Sequence, residues 1–285
     1  MRYEVGLIGA GIGPSLSPPL HEREAAELDL DYAYRLIELE DRDAGELLDR
    51  VRRAGFRGVN VTHPCKQSVV PHLDALSEDA EALQAVNTVV FEDGRVTGHN
   101  TDTTGFAESF SRGLPAASLD HVVLLGAGGA GGAAGLAALR LGAERLTIVD
   151  LDREQAEACA ERLGAEVGTV ESVREADGLI HATPTGMEAH PGMPLDERLL
   201  HPGLWVAEVV YRPLETELLQ RAREIGCRTL DGGGMAVFQA ADAFALFTGV
   251  EPDRERMLRH FAELAGPRKR GLASSLREHR GVAAR

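Results

Sequence analysis

The feature that most restricts the fold is the run VVLLGAGGAGG at residues 122–132. An apolar strand passes directly into glycines at 126, 128 and 131, and an alanine-rich helical stretch follows. This is G-x-G-x-x-G in the setting its mechanism needs. Gly126 permits a tight turn, Gly128 lets the backbone approach a pyrophosphate, and Gly131 lets the helix pack closely on the strand. Together with Ala127, Gly129 and Ala130 they form a loop whose amides would bind phosphates at a helix N-terminus. A glycine-rich turn without a ligand can look similar. Here the strand, the helix and an acid closing the next strand agree, so a bound dinucleotide is expected. That acid is Asp150, at the end of RLTIVD, near the distance of about 20 residues that the motif requires. Its carboxylate can accept hydrogen bonds from a ribose diol and would repel a 2′-phosphate, which predicts NAD over NADP. Arg153 lies close by and would partly offset that repulsion. Capping of the next helix is another duty open to Asp150, alongside the ribose role.

Short β-branched runs alternate with helical stretches along the whole chain, which predicts an α/β fold with mostly parallel sheets. The first unit reads as strand 3–9, helix 21–30, strand 32–39, helix 43–55, strand 56–62, a short helix after Pro64, and a hairpin turning at Asp93-Gly94. The second unit runs from the glycine loop to the strand CRTL. The last two helical stretches, starting at Met235 and Asp253, are expected to pack back on the first unit. The predicted organisation is therefore a discontinuous substrate-binding domain, 1–104 with 239–265, and an inserted Rossmann-type cofactor domain, 105–238. Residues 266–285 read as a basic tail.

The length of 285 residues suits two domains. A formal net charge of -15 opposes nucleic acid backbones and anionic membranes, leaving a small molecule as the expected partner. Three scattered cysteines show neither metal-ligand spacing nor a disulfide framework. No metal is expected, and a cytoplasmic location is. The N-terminus lacks the pattern of a signal peptide, and no apolar run is long enough to span a bilayer. The chain admits a homodimer.

Polar residues stand in unexpected places in the first unit. Ser15 and Ser17 precede a helix, where two hydroxyls and free amides could bind a carboxylate, or serve only as caps. Asn60 and Thr62 share one side of a strand, and Lys66 follows a short turn later. Asn87 adds an amide. Asp102 opens a helix, where alone it would read as a cap. A lysine and a carboxylate can form a proton-transfer and alkoxide-stabilising pair, while amides and hydroxyls fix a polyol. Hydride transfer would belong to the nicotinamide.

These segments resemble the shikimate and quinate dehydrogenase family. The resemblance runs from GLIG to about Leu264. It rests on S-L-S at 15–17, N-V-T-x-P-x-K at 60–66, A-V-N-T at 85–88, N-T-D at 100–102, G-A-G-G-A-G at 126–131, A-T-P-x-G-M at 182–187, V-V-Y at 209–211 and M-x-V-x-Q-A-A at 235–241. It implies that Ser15 and Ser17 hold a substrate carboxylate. Thr62, Asn87, Tyr211 and Gln239 would surround the ring, with Asn60 beside them. Lys66 would be the acid/base, and Asp102 would orient it. Thr183, Met187, Val209 and Gly232 would line the cofactor. The implied reaction is reversible oxidation of the shikimate C3 hydroxyl, with quinate as a further substrate. NADP-using members usually carry Asn-Arg-Ser/Thr where this chain has Asp150-Leu151-Asp152, so the chain looks like the NAD-using branch. Members favouring quinate can carry threonine at the position of Ser17. Gln84, His181 and Glu208 replace a frequent glycine, asparagine and aspartate. The rival readings are an NADP-dependent biosynthetic enzyme, an enzyme acting on an amino analogue, and a non-catalytic sensor of NAD or a metabolite.

Overall fold

The structure, a computed structural model, describes residues 2–39 and 43–266. From residue 267 onward, the segment read as a tail lies outside the described residues. The chain begins with β1 (Arg2–Gly9), whose last five residues are all buried, followed by α1 (Ser17–Glu27). Pro18 and Pro19 lie in the first turn of α1, where a missing N–H costs no helical bond, so the helix starts before the predicted residue 21. β2 (Asp31–Glu38) pairs parallel with β1. Asp43 caps α2 (Ala44–Arg53) by accepting from the Gly45 and Glu46 amides. β3 (Gly58–Val61) joins the other side of β1, again in parallel. One-turn helix α3 (Cys65–Ser68) follows, then β4 (Ala75–Leu76) and α4 (Glu78–Leu83). The predicted hairpin is β5 (Thr88–Glu92) with β6 (Arg95–His99). Asp93 and Gly94 both have positive φ, as a two-residue turn between right-twisted strands requires. The hairpin makes β3–β5 and β5–β6 antiparallel, so the first sheet, ordered β2-β1-β3-β5-β6-β4, mixes senses more than the predicted parallel pattern.

Helix α5 (Thr101–Gly113) leads to the second sheet. There β7 (His121–Leu125) is followed by α6 (Gly129–Arg140), β8 (Arg145–Val149), α7 (Arg153–Leu163) and β9 (Glu166–Val167). Then come β10 (Gly178–His181), β11 (Trp205–Glu208), α8 (Glu217–Ile225) and β12 (Arg228–Leu230). All pairings are parallel, in the order β12-β11-β10-β7-β8-β9. The winding reverses between β7 and β10, and the crevice beyond the C-terminal ends of those strands is where such sheets take ligands. Burial on both faces explains the unbroken apolar runs. Val122, Leu124, Ile148 and Ile180 pack with the alanines of α6 on one face; Val123, Leu179 and Val206 pack with Leu218 and Leu219 of α8 on the other.

Helices α9 (Gly233–Thr248) and α10 (Arg254–Ala265) return to the first sheet, as predicted. Phe247 packs among Val5, Leu7 and Val90. The buried Glu24 carboxylate of α1 accepts from Arg256 Nε at 2.8 Å and from the Asp253 amide at 2.8 Å, which ties α10 down. α5 lies along α9 so closely that a methyl group on Gly105 would stand 2.6 Å from the Gln239 amide nitrogen. The predicted changeovers at 104/105 and 238/239 both fall inside these helices.

Candidate functional site

Lys66 sits in the single turn that follows β3, and Asp102 in the first turn of α5. Lys66 Nζ donates to Asp102 Oδ2, and the two side chains are 17% and 9% exposed. The cap of α5 is Asn100, whose side chain accepts from the Asp102 amide at 3.2 Å. Asp102 is thus released from the capping duty its position suggested. Its other oxygen, Oδ1, accepts from Asn87 Nδ2 at 2.9 Å, and Asn87 Oδ1 accepts from the Thr101 amide at 2.8 Å. Asn87 therefore locks the first turn of α5 and aims the carboxylate.

Asn60 is buried and committed inward. Its oxygen accepts from the Tyr34 hydroxyl at 2.7 Å, and its amide donates to Thr88 Oγ1 at 3.0 Å and the Asn87 carbonyl at 3.3 Å. Burial pushes the Tyr34 phenol well above the usual range, with the Ser17 hydroxyl opposing. A polar chain thus runs from Tyr34 through Asn60 and Asn87 to Asp102 and Lys66. Tyr34 and Thr101 were not singled out in the sequence; Thr101 stands within N-T-D, whereas Tyr34 reads as an ordinary strand aromatic.

Ser15 and Ser17 are half-buried at the start of α1, and the Ser17 amide donates to Ser15 Oγ at 3.2 Å. Thr62, half-buried, follows β3. Tyr211 packs against the cluster that holds Phe261, and burial raises its phenol, with Arg212 opposing. Arg212 Nη1 donates to the Pro14 carbonyl at 2.6 Å, so the exit from β11 reaches the serine loop. Gln239 is half-buried in α9, with its amide turned to the Ala236 carbonyl at 2.9 Å. His63, between Thr62 and the short turn that carries Lys66, is exposed, while Cys65 is buried.

The glycine loop has the form its sequence demands. Gly126 has φ +104, and its hydrogen faces the backbone of Ala182 and Thr183 at 2.8–2.9 Å from where a Cβ would stand. A Cβ on Gly131 would collide with the Gly126 carbonyl, so the close helix–strand approach is real. A Cβ on Gly128 would meet nothing within 4 Å, which leaves open space beside the loop where a phosphate can approach. The residues fit a dinucleotide. Asp150 Oδ2 accepts from the Ala127 amide at 2.7 Å, and Oδ1 from the Asp152 amide at 2.9 Å. The cap of α7 is Asp152, so the helix-capping role considered for Asp150 belongs to its neighbour. Arg153 is exposed and pairs with Glu157. Thr183 follows β10 and adjoins Gly126, while Val209 follows the neighbouring strand β11, and a Cβ on Gly232 would lie 2.5 Å from the Val209 carbonyl. Ala130 is the second residue of α6, and Met187 is an exposed member of the loop after β10.

The two groups adjoin. Gly129 faces Lys66, whose Cδ lies 3.2 Å from a Cβ placed on that glycine. The structure thus brings the Lys66–Asp102 pair against the glycine loop. Among the described residues, no helix is long and apolar enough to cross a membrane.

Comparison with known proteins agrees with this geometry. A family model described as the shikimate dehydrogenase substrate binding domain matches residues 7–89, and one described as the shikimate 5'-dehydrogenase C-terminal domain matches residues 232–260. A protein of Streptomyces avermitilis named shikimate dehydrogenase (NADP(+)) is 61% identical over 280 residues, covering 93% of this chain and 96% of its own. One of Corynebacterium efficiens named quinate/shikimate dehydrogenase (NAD(+)) is 48% identical over 277 residues, covering 91% and 98%. The solved quinate dehydrogenase from Corynebacterium glutamicum in complex with NAD superposes with a TM-score of 0.87 at 46% identity, covering 92% and 99%.

Proposed function

The chain belongs to the shikimate/quinate dehydrogenase family, uses a nicotinamide dinucleotide, and, we propose, oxidises shikimate reversibly at its C3 hydroxyl with NAD, accepting quinate as well. The observation that carries the reading is the Lys66–Asp102 pair lying against the glycine loop. The nicotinamide, when bound, supplies the acceptor for the hydride leaving C3. In its neutral amine form, Lys66 Nζ takes the hydroxyl proton as the C3 carbonyl forms, becoming the ammonium, and in the reverse direction the ammonium returns that proton. Asp102 holds the ammonium in place, and Asn87 holds Asp102. Ser15 and Ser17 bind the substrate carboxylate; Thr62, Tyr211 and Gln239 surround the ring. Asn60 contributes from behind, through the buried bonds that place Tyr34 and Asn87. Gly126, Ala127, Gly128, Gly129, Ala130 and Gly131 hold the pyrophosphate, and Thr183, Met187, Val209 and Gly232 line the nicotinamide half.

The choice of NAD rests on Asp150. Bound to the Ala127 amide, its carboxylate is held across the glycine loop, where a 2′-phosphate would meet it and a ribose diol would be accepted. The 48% identical relative carries NAD(+) in its name and supports this. The name of the 61% identical relative favours a second reading, NADP. Arg153 would serve that reading only by leaving Glu157. The proposed domain division is that of the two sheets, with α9 and α10 completing the substrate side.

Steady-state assays with shikimate and quinate against both cofactors test the proposal. NAD should give the higher kcat/KM; a clear NADP preference overturns the cofactor assignment, and no turnover overturns the activity. Lys66→Ala should lose about 10²–10⁴ in kcat with NAD binding retained. Near wild-type turnover would remove Lys66 from the mechanism.

A further inference from the structure

A second polar network lies outside the lysine site, at the end of β10. His181 and Glu208 occupy matching positions on β10 and β11, and their side chains are fully buried. His181 Nδ1 lies 2.9 Å and 3.0 Å from the two Glu208 oxygens. The carboxylate also accepts from the Val210 amide at 3.0 Å and the Thr216 hydroxyl at 3.0 Å. The Thr216 oxygen itself accepts from the Leu219 amide at 3.3 Å, which commits its hydrogen to Glu208. Glu208 is therefore an acceptor on every side, and the imidazole must carry its hydrogen on Nδ1. The other ring nitrogen, Nε2, lies 2.6 Å from Thr183 Oγ1.

We propose that Glu208 and His181 are positioning residues that fix the Thr183 hydroxyl at the nicotinamide end of the crevice, leaving it one defined hydrogen-bonding valence toward the cofactor. This rests on the assignment of that crevice to a dinucleotide. A hydroxyl has one hydrogen and two lone pairs. One lone pair of Thr183 accepts from the Thr185 amide at 3.3 Å, and His181 takes a second valence. With the Nε2 lone pair facing it, the hydroxyl points its hydrogen inward and turns a lone pair outward. The cofactor group that meets it is then a donor, a ribose hydroxyl or the carboxamide N–H. An asparagine and an aspartate at 181 and 208 could pair across the strands, but an amide has no second ring nitrogen with which to reach Thr183. The histidine–glutamate combination extends the buried carboxylate's influence by one side chain, to a residue half-exposed in the crevice.

A double-mutant cycle on the full chain tests this. Thr183→Val should raise the NAD dissociation constant and KM about three- to ten-fold, with a smaller change in kcat. Glu208→Gln should raise KM for NAD by a similar factor, and the double variant should be no worse than Thr183→Val alone. Thr183→Ser should restore wild-type KM, and ¹⁵N spectra should show His181 protonated on Nδ1 in the wild type. Effects that multiply in the double variant, an unchanged KM for NAD in Glu208→Gln, or a hydrogen on Nε2, whether alone or together with one on Nδ1, would each overturn the relay. If Glu208→Gln does not fold, His181→Gln takes its place in the cycle with the same two outcomes. A wild-type protein that binds neither NAD nor NADP overturns the dinucleotide reading itself, before any variant is compared.

Discussion

At the scale of single residues, the site is a chain of side chains whose hydrogen bonds leave few valences spare. Asn87 shows why such positions tolerate little. It donates to Asp102 and Thr101 and accepts from the Thr101 amide, all in a buried setting. Asn87→Ala strands these partners, and stability should fall by ~1–3 kcal/mol, read by urea denaturation. Turnover should fall further than stability alone accounts for, because the Asp102 carboxylate is no longer aimed at Lys66. Unchanged kcat in the folded variant would separate Asn87 from the pair. His21 makes a different kind of prediction. Burial lowers its pKa from 6.5 to about 3, and Nδ1 meets the Tyr32 hydroxyl at 2.9 Å. The native state holds the ring neutral while the unfolded chain takes up a proton below about 6.5, so its contribution is fully present above that pH. Stability should then fall as pH drops from about 6.5 toward 3, by up to ~1.4 kcal/mol per unit from this group. In His21→Gln the slope of unfolding free energy against pH over that window should be shallower by that amount; an equal slope would show that His21 is not the source.

At the scale of elements, the loop between β7 and α6 separates two uses of glycine. Gly131→Ala puts a methyl into the Gly126 carbonyl, so the variant should lose thermal stability as α6 shifts from its strand. Gly128→Ala meets no protein atom, so Tm should hold while the dissociation constant for NAD rises. A calorimetric scan and a binding titration distinguish the two, and equal loss of Tm in both would contradict the open space described. This loop was legible from sequence because strand, turn and helix each leave a mark in residue type. The hairpin was legible for the same reason, through Asp93-Gly94. β4 and α4 were not: two strand residues carry no period, and a six-residue helix spans less than two turns. The antiparallel entry of β5 was hidden too, because strand sense is set by connection and not by composition. Within the site, Lys66, Asp102 and Asn87 could be named from motifs, yet their contacts come from three separate elements. Tyr34 escaped notice because a tyrosine alternating in a strand is ordinarily packing, and His181 and Glu208 showed only as departures from a pattern.

At the scale of the whole molecule, the chain passes between its two sheets through α5 on the way out and α9 on the way back. The return of the last helices was legible, since an apolar helix following a complete parallel sheet needs another surface to cover. What sequence could not show is how tightly the two crossing helices meet. They touch at Gly105 and Gln239 with no room for a methyl group, and they carry Asp102 at one end of α5 and Gln239 along α9. A methyl at 105 would act as a shim in the joint of a caliper. Prising the helices apart there would open the jaws at the far end, drawing Lys66 away from the glycine loop by leverage alone. Gly105→Ala should therefore lower kcat while Lys66 and the glycine loop keep their own shapes, with shikimate and NAD each still binding singly; full turnover would show that the joint yields. On this view one hydrogen atom, remote from any reacting bond, sets the gauge of the catalytic gap.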